Sequence, residues 1–300
     1  MPTDNPLISL ITINYISIKD TIEFLESAQK ITYKNVEIIV VDNNSPTGRP
    51  TQEIKNRFSQ VKFIDSAENL GFAGGNNLGL KVAKGDYYFL LNNDTLLYPD
   101  FLEPIVTFMV SHPDVGMASP KILYPDKETI QFGGAIGISP FTGRGKCLGI
   151  YEKDTGQYDK CYETDLGHGA ALIVSRKAVE LAGLMPEVYF LYYEEHDWCE
   201  IVKRKGFKMY FIGTSKVIHK ESVTTGPESP LKVYYMTRNR LIFMRRNFSG
   251  LPFYFGLLFF TFFSIPKNTI TYLMKGKNEL LKSFYRGISW NLSNLRANIK

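Results

Sequence analysis

The sequence predicts an α/β protein built on a mostly parallel sheet, and three stretches predict it. Leu7–Asn14 (LISLITIN), Val36–Val41 (VEIIVV) and Tyr87–Leu91 (YYFLL) are apolar runs of strand length, the pattern of strands covered on both faces. The latter two end in carboxylate-bearing tips, Asp42-Asn43-Asn44-Ser45 and Asn92-Asn93-Asp94. Ligands of open α/β sheets sit beyond the carboxyl ends of the strands, so such tips converge on one crevice. With 44% hydrophobic residues, the 300-residue chain has ample material for one large domain with an appendage.

After the first strand, Lys19–Lys30 shows helical spacing of Ile22, Leu25 and Ala28. Asp42, closing the second strand, either accepts a hydrogen bond from N3–H of uracil or thymine or closes an Asx-turn. A short strand at Val61–Ile64 leads into Asn69–Asn77 (NLGFAGGNN). Glycines there let backbone approach a ligand, and a helix over Asn77–Ala83 would aim its first N–H groups at phosphate or ribose. Neither GxGxxG nor GK[ST] is present, so a nucleotide site here is not of the dinucleotide or ATPase kind. Asn92-Asn93-Asp94 reads either as a turn or as an oxygen-rich place for Mg²⁺ or Mn²⁺.

Further along, Phe101–Ser111 reads as a helix and Val115–Leu123 as a strand. Tyr124–Asp165 has no sustained period and is expected to be a long loop, a surface excursion or the acceptor side of a site. Gly169–Arg176 reads as a strand and Lys177–Gly183 as a helix. Glu194, Glu195 and Asp197 then crowd three carboxylates into four positions beside Tyr189, Phe190, Tyr192 and Tyr193. That is either a general base tuned toward neutrality or the acidic start of a helix over Asp197–Lys205. Phe207–Phe211 and Ser215–Ile218 read as two short strands, and His219 after the second is either a packed imidazole or a ligand.

Three cysteines without a CxxC pair, and an N-terminus without leader features, suggest a reducing, cytosolic setting. Charge is uneven: residues 231–300 hold 12 Lys/Arg and one acidic residue, against 23 and 29 in the remainder. The tail's partner is expected to be polyanionic, nucleic acid or anionic lipid. Asn247–Pro266 carries no charge and is crowded with Phe and Tyr. Flanked by Arg245, Arg246, Lys267, Lys275, Lys277, Lys282 and Arg286, it reads as an interfacial membrane segment, with an aromatic hairpin in the core or in a homodimer interface as the competing reading.

VDNNS, NLGFAGGNN and LLNNDT stand in an order and spacing that resemble the inverting glycosyltransferases of family 2, with the GT-A fold, and especially their rhamnosyltransferase-like branch. The resemblance implies that Asp42 binds the nucleobase, that Asn69 and Asn77 line the nucleotide pocket, and that Asn92 and Asp94 fill the DxD positions. Asn92 replaces the usual first aspartate, so Asp94 and His219 are the implied ligands of a divalent metal, Mg²⁺ or Mn²⁺. Tyr193–Asp197 resembles the Tyr-Glu-Asp-x-Asp segment, which makes Glu195 the base, with Glu for the commoner Asp and His196 where an apolar residue is usual. Arg238 and Arg240 match the Arg-Asn segment and would clamp the diphosphate.

The implied division is a GT-A catalytic domain over residues 1–230 and a helical, membrane-associated region over 231–300. The implied activity moves a sugar, rhamnose first among candidates, from a dTDP- or UDP-sugar to a saccharide or polyprenyl-linked saccharide on the inner membrane face. No nucleic acid partner is expected. A nucleotidyltransferase, or a nucleotide-sugar-binding assembly protein without turnover, are the alternatives.

Overall fold

The structure is a computed structural model describing residues 5–221 and 229–295. Residues 1–4 and 296–300, included above in the readings of leader features and tail charge, lie outside it. Three β-α units open the chain: β1 (Ile8–Asn14) and α1 (Ile18–Ala28), β2 (Val36–Asp42) and α2 (Gln52–Arg57), β3 (Val61–Asp65) and α3 (Gly71–Val82). Then follow β4 (Tyr87–Leu91), β5 (Thr95–Leu97), α4 (Leu102–Ser111), β6 (Val115–Leu123), β7 (Ile130–Phe132), β8 (Ala135–Ile136), β9 (Lys146–Cys147) and β10 (Cys161–Glu163). The main sheet ends with β11 (Ala171–Ser175), α5 (Arg176–Ala182), α6 (Glu194–Arg204) and β12 (Lys208–His219). The C-terminal helices are α7 (Pro230–Asn247), α8 (Gly250–Phe259), α9 (Ile265–Met274) and α10 (Asn278–Ser293).

Strands lie in the order β10-β12-β6-β11-β4-β1-β2-β3, with β5 on β12 and β7 on β6. β4, β1, β2 and β3 run parallel, because each parallel pair is joined through a helical crossover. β12 and β6 are also parallel, whereas β11 runs against both β4 and β6. The YYFLL strand is therefore central and buried throughout, but one of its neighbours is antiparallel.

Four local expectations change. The glycine-rich segment is helical from Gly71, six residues earlier than expected. Its glycines serve packing: a Cβ on Gly79 would stand 2.4 Å from Ile11 of β1. The two strands expected around residues 207–218 are one strand, irregular between Ile212 and Lys216. α6 begins at Glu194, so all three acids sit in its first turn, where the helix dipole favours them. The long stretch after Tyr124 holds four short strands, and fully buried Lys121 pins it by pairing with Asp154 (2.7 Å) and Asp159 (2.5 Å).

α7 belongs to both halves of the interior. Its Ile242 and Phe243 join the main core, while Leu241 and Met244 form a second cluster with Phe260 and Phe284. Gly250–Met274 is helical throughout, with one π turn at Phe260–Ser264, and is long and apolar enough to cross a membrane by length and composition. Its Gly256, Phe260 and Ser264, spaced four apart, are buried on the protein, while Leu251, Tyr254, Phe255, Leu258, Phe262 and Phe263 are exposed.

Candidate active site

β5 pairs with the end of β12 so that His219 stands opposite Thr95, which places the imidazole beside Asp94. His219 Nε2 lies 3.1 Å from Asp94 Oδ1 and 3.1 Å from the Asn92 amide. Its Nδ1 lies 2.7 Å from Gln131 Oε1 of β7, an acceptor, so the network assigns the proton to Nδ1 and leaves Nε2 to accept from Asn92 Nδ2. Both Asp94 carboxylate oxygens are buried without a hydrogen-bond donor. A buried carboxylate with no hydrogen-bond donor, beside an imidazole nitrogen that carries no proton, is a place a cation would satisfy. Asp94, His219 and the Asn92 amide oxygen are a donor set that fits a divalent ion. Among the described residues no three His, Cys, Asp or Glu side chains converge to hold a metal, so the rest of its coordination would come from substrate phosphate and water.

The segment His168-Gly169-Ala170, entering β11, runs between this corner and the acidic turn. Ala170 O accepts from Asn92 N (3.0 Å), and the His168 ring stands 6.1 Å from that of His219. A Cβ on Gly169 would lie 3.3 Å from Glu195 Oε1, so the Glu195 carboxylate comes close to this strand end. Glu195 Oε2 is buried without a hydrogen-bond partner. His168 is held neutral, its pKa pushed down to about 3 by burial and then by His219 and His196. Burial, followed by the charge of Glu195, holds the Glu194 carboxyl well above the usual carboxylate range.

The turn that presents these acids is strained. Phe190, Tyr192 and Tyr193 all have positive φ (67°, 69° and 77°), a conformation that costs non-glycine residues about 1–3 kcal/mol each. Two contacts hold it. Asn239 Nδ2, on α7, lies 2.7–3.0 Å from the carbonyls of Tyr189, Leu191 and Tyr192. Phe72 N donates to Phe190 O at 2.7 Å, and a Cβ on Gly71 would stand 2.1 Å from that oxygen. Asp197 is fully buried, accepting from Arg246 Nε (2.5 Å) and Asn247 Nδ2 (2.6 Å). Through these contacts it ties α6 to α7.

On the nucleotide side, Asp42 is buried and oriented by Asn14 Nδ2 (2.7 Å) and Ser45 N (3.3 Å), with Arg49 Nε 3.7 Å away. Asn69 Oδ1 caps Gly71 N (2.9 Å) and accepts from Asn43 (3.1 Å). With Gly71 N and Phe72 N already partnered, the α3 N-terminus does not offer those groups to a phosphate. Asn77 is buried, and its amide is engaged by Met185 N (3.1 Å), Met185 O (2.9 Å) and Glu187 (2.8 Å). It clamps α3 to the segment between α5 and α6.

The expected diphosphate clamps are also turned inward. Arg238 donates to Val188 O and lies 4.3 Å from the Trp290 ring; Arg240 donates to Thr142 O and to Ser264 Oγ (3.3 Å) and lies 4.9 Å from Phe260. Both are buried, and burial pulls the Arg240 pKa down to about 10. Through these contacts they pack α10 and the π turn onto α7. Gln131, His168 and Asn239 complete the site without having been singled out as site residues, because their roles depend on contacts made across the fold.

The chain matches glycosyl transferase family 2 over residues 9–180. It is 27% identical over 252 residues to the low-salt glycan biosynthesis hexosyltransferase Agl10 of Haloferax volcanii, covering 81% of this chain and 76% of that one. It is 24% identical to the N-acetylglucosaminyl-diphospho-decaprenol L-rhamnosyltransferase of Mycobacterium tuberculosis, covering 76% and 80%. Among solved structures, the mannosyltransferase PcManGT from Pyrobaculum calidifontis, in complex with GDP-Man and Mn²⁺, superposes with a TM-score of 0.60 at 15% identity, covering 97% of this chain and 76% of that one.

Proposed function

Because the chain belongs to glycosyl transferase family 2, as a glycosyltransferase of its rhamnosyltransferase-like branch with the GT-A fold, we propose that it transfers a sugar with inversion from a dTDP- or UDP-sugar to a saccharide or polyprenyl-linked saccharide. Rhamnose is the first sugar to test, by analogy with the named activities of relatives. The observation that carries this reading is the pairing of two orphaned carboxylates, Asp94 and Glu195, on either side of His168-Gly169-Ala170.

In the proposed reaction Glu195 accepts the proton of an acceptor hydroxyl as that oxygen bonds to the anomeric carbon. The bond to the nucleoside diphosphate breaks on the opposite face, and the centre inverts in one displacement. Burial disfavours a second negative charge on Glu194 beside the base, since it raises the Glu194 pKa. A divalent ion held by Asp94, His219 and Asn92 would neutralise charge on the departing diphosphate. Asp42, already oriented by Asn14 and Ser45, retains lone-pair capacity for N3–H of thymine or uracil. Asn69 lies beside that pocket.

We assign residues 1–230 to the catalytic domain and 231–300 to a helical region lying on the cytoplasmic face of the membrane. The buried stripe Gly256/Phe260/Ser264 supports an in-plane position: the helix rests on the protein along one side and turns its aromatics outward along the other. Arg245 and Arg246 do not serve as membrane contacts in this reading, since the first donates to Asn294 and Leu295 carbonyls and the second pairs with Asp197. Lys267 and Lys275 remain exposed beside the aromatic face.

The experiment is a donor screen at fixed Mn²⁺, following release of nucleoside diphosphate and transfer to a saccharide acceptor. dTDP- or UDP-sugars should be turned over and should bind more tightly than CDP-sugars, whose unprotonated N3 cannot donate to Asp42. Tighter binding of CDP, or binding of every donor without transfer, would overturn the reading.

A further inference from the structure

The loop 139–145 joins the acidic turn to the exposed face of the C-terminal helices. Phe141, 57% exposed, stands 6.1 Å from the Phe255 ring. Together with Phe255, Leu258, Phe259, Phe262 and Phe263 it walls an apolar groove of about 290 Å³. The next two residues face the other way: Thr142 O accepts from Arg240, and Gly143 O accepts from Tyr193 Oη at 3.0 Å. Tyr193 directly precedes Glu194 and Glu195. Gly256 permits the docking, since a Cβ there would stand 2.3 Å from Pro140 O. A surface aromatic patch used only to rest on a membrane has no need of a wall built from a loop that touches the base-bearing turn.

Charge selects the occupant. From Thr129 to Tyr151 the chain has no acidic residue, and Arg144 and Lys146 are exposed on and just after the loop. Behind it, Arg240 is 5% exposed and its Nε has no hydrogen-bond partner. A second copy would bring its own strongly basic C-terminal region against this one, and like charges repel. An isoprenoid chain ending in a diphosphate satisfies both the groove and the cations. We propose that this groove seats the isoprenoid chain of a lipid-linked acceptor, with its diphosphate at Arg144 and Lys146 and its saccharide directed toward Glu195. The proposal rests on the lipid-linked acceptor reading above and adds the place where the lipid binds.

Two readouts test it on the full chain. A photoactivatable isoprenyl diphosphate, with a diazirine near the far end of the chain, should label residues 253–263, and the Phe141→Ser/Phe263→Ser double variant should lose that label. Both side chains are more than half exposed, so the double variant should fold. Label spread over other helices, or unaffected by the double variant, overturns the groove. In turnover, the double variant should raise KM for a saccharide on isoprenyl diphosphate on the order of tenfold more than KM for the same saccharide on a short alkyl chain. Equal changes in the two KM values also overturn it. If the unmodified enzyme uses the short-alkyl acceptor as well as the isoprenyl one, the lipid site falls while the transferase reading stands. If label lands in the groove but neither acceptor is glycosylated, the acceptor reading fails and with it the proposed occupant.

Discussion

Single atoms decide the chemistry at two places, the orphaned oxygens of Glu195 and of Asp94. Glu195→Gln keeps the shape and removes the proton acceptor, so transfer should fall about 10²–10⁴-fold with donor affinity retained. Asp94→Ala should instead weaken donor binding, and the loss should be largest where Mn²⁺ is saturating for the parent enzyme. Steady-state kinetics with donor titrations separate the two patterns; full activity of Glu195→Gln would remove the base from this position. Glu194 makes a prediction of its own. An acid whose pKa is raised by folding contributes stability that is complete below its ordinary value of 4.5 and is lost as pH rises through the raised value. Glu194→Gln removes that loss, so thermal unfolding should show the variant gaining on the parent as pH is raised from below 4.5. A parallel pH dependence of the two proteins would show that Glu194 is ionised in the fold.

At the scale of elements, the base depends on a turn that α3 and α7 hold from outside. Asn239 shares its two amide N–H groups among three carbonyls of that turn, and a carboxylate of the same size has no N–H to offer. Asn239→Asp should therefore let Glu195 shift, and displacement on the order of 1 Å is worth about 10² in rate. The expected signature is a fall in kcat with donor affinity preserved; loss of donor affinity with kcat intact would contradict it. This turn also shows where the sequence was legible and where it was not. Strands buried on both faces, such as Tyr87–Leu91 and the mostly apolar Val115–Leu123, are legible with their boundaries, because burial on both faces leaves one pattern. The segment from Gly71 misled, since glycine marks close approach without saying whether a ligand or another strand approaches. Asn77, Arg238 and Arg240 have chemistry that suits phosphate and ribose, and the sequence could not show that residues far along the chain also hold them. Gln131 and His168 carried no local signal, being set against His219 only by the pairing of the sheet.

At the scale of the molecule, the proposed arrangement gives the protein one polar cleft and one aromatic, cation-edged face. Exposed lysines near an anionic bilayer contribute about 1 kcal/mol each and are screened by salt, whereas buried aromatics are not. Binding to vesicles containing phosphatidylglycerol should therefore weaken with salt and persist in part, and Phe262→Ser/Phe263→Ser should lower the salt-resistant part measured by co-sedimentation. No association with anionic vesicles would contradict the membrane-facing role. The most direct test of the central claim, a single displacement driven by a base on the face opposite the leaving diphosphate, is the anomeric configuration of the product. Proton NMR of the linkage formed by the unmodified enzyme from a dTDP- or UDP-sugar should show the configuration opposite to that of the donor. A linkage that retains the donor's configuration would contradict the account.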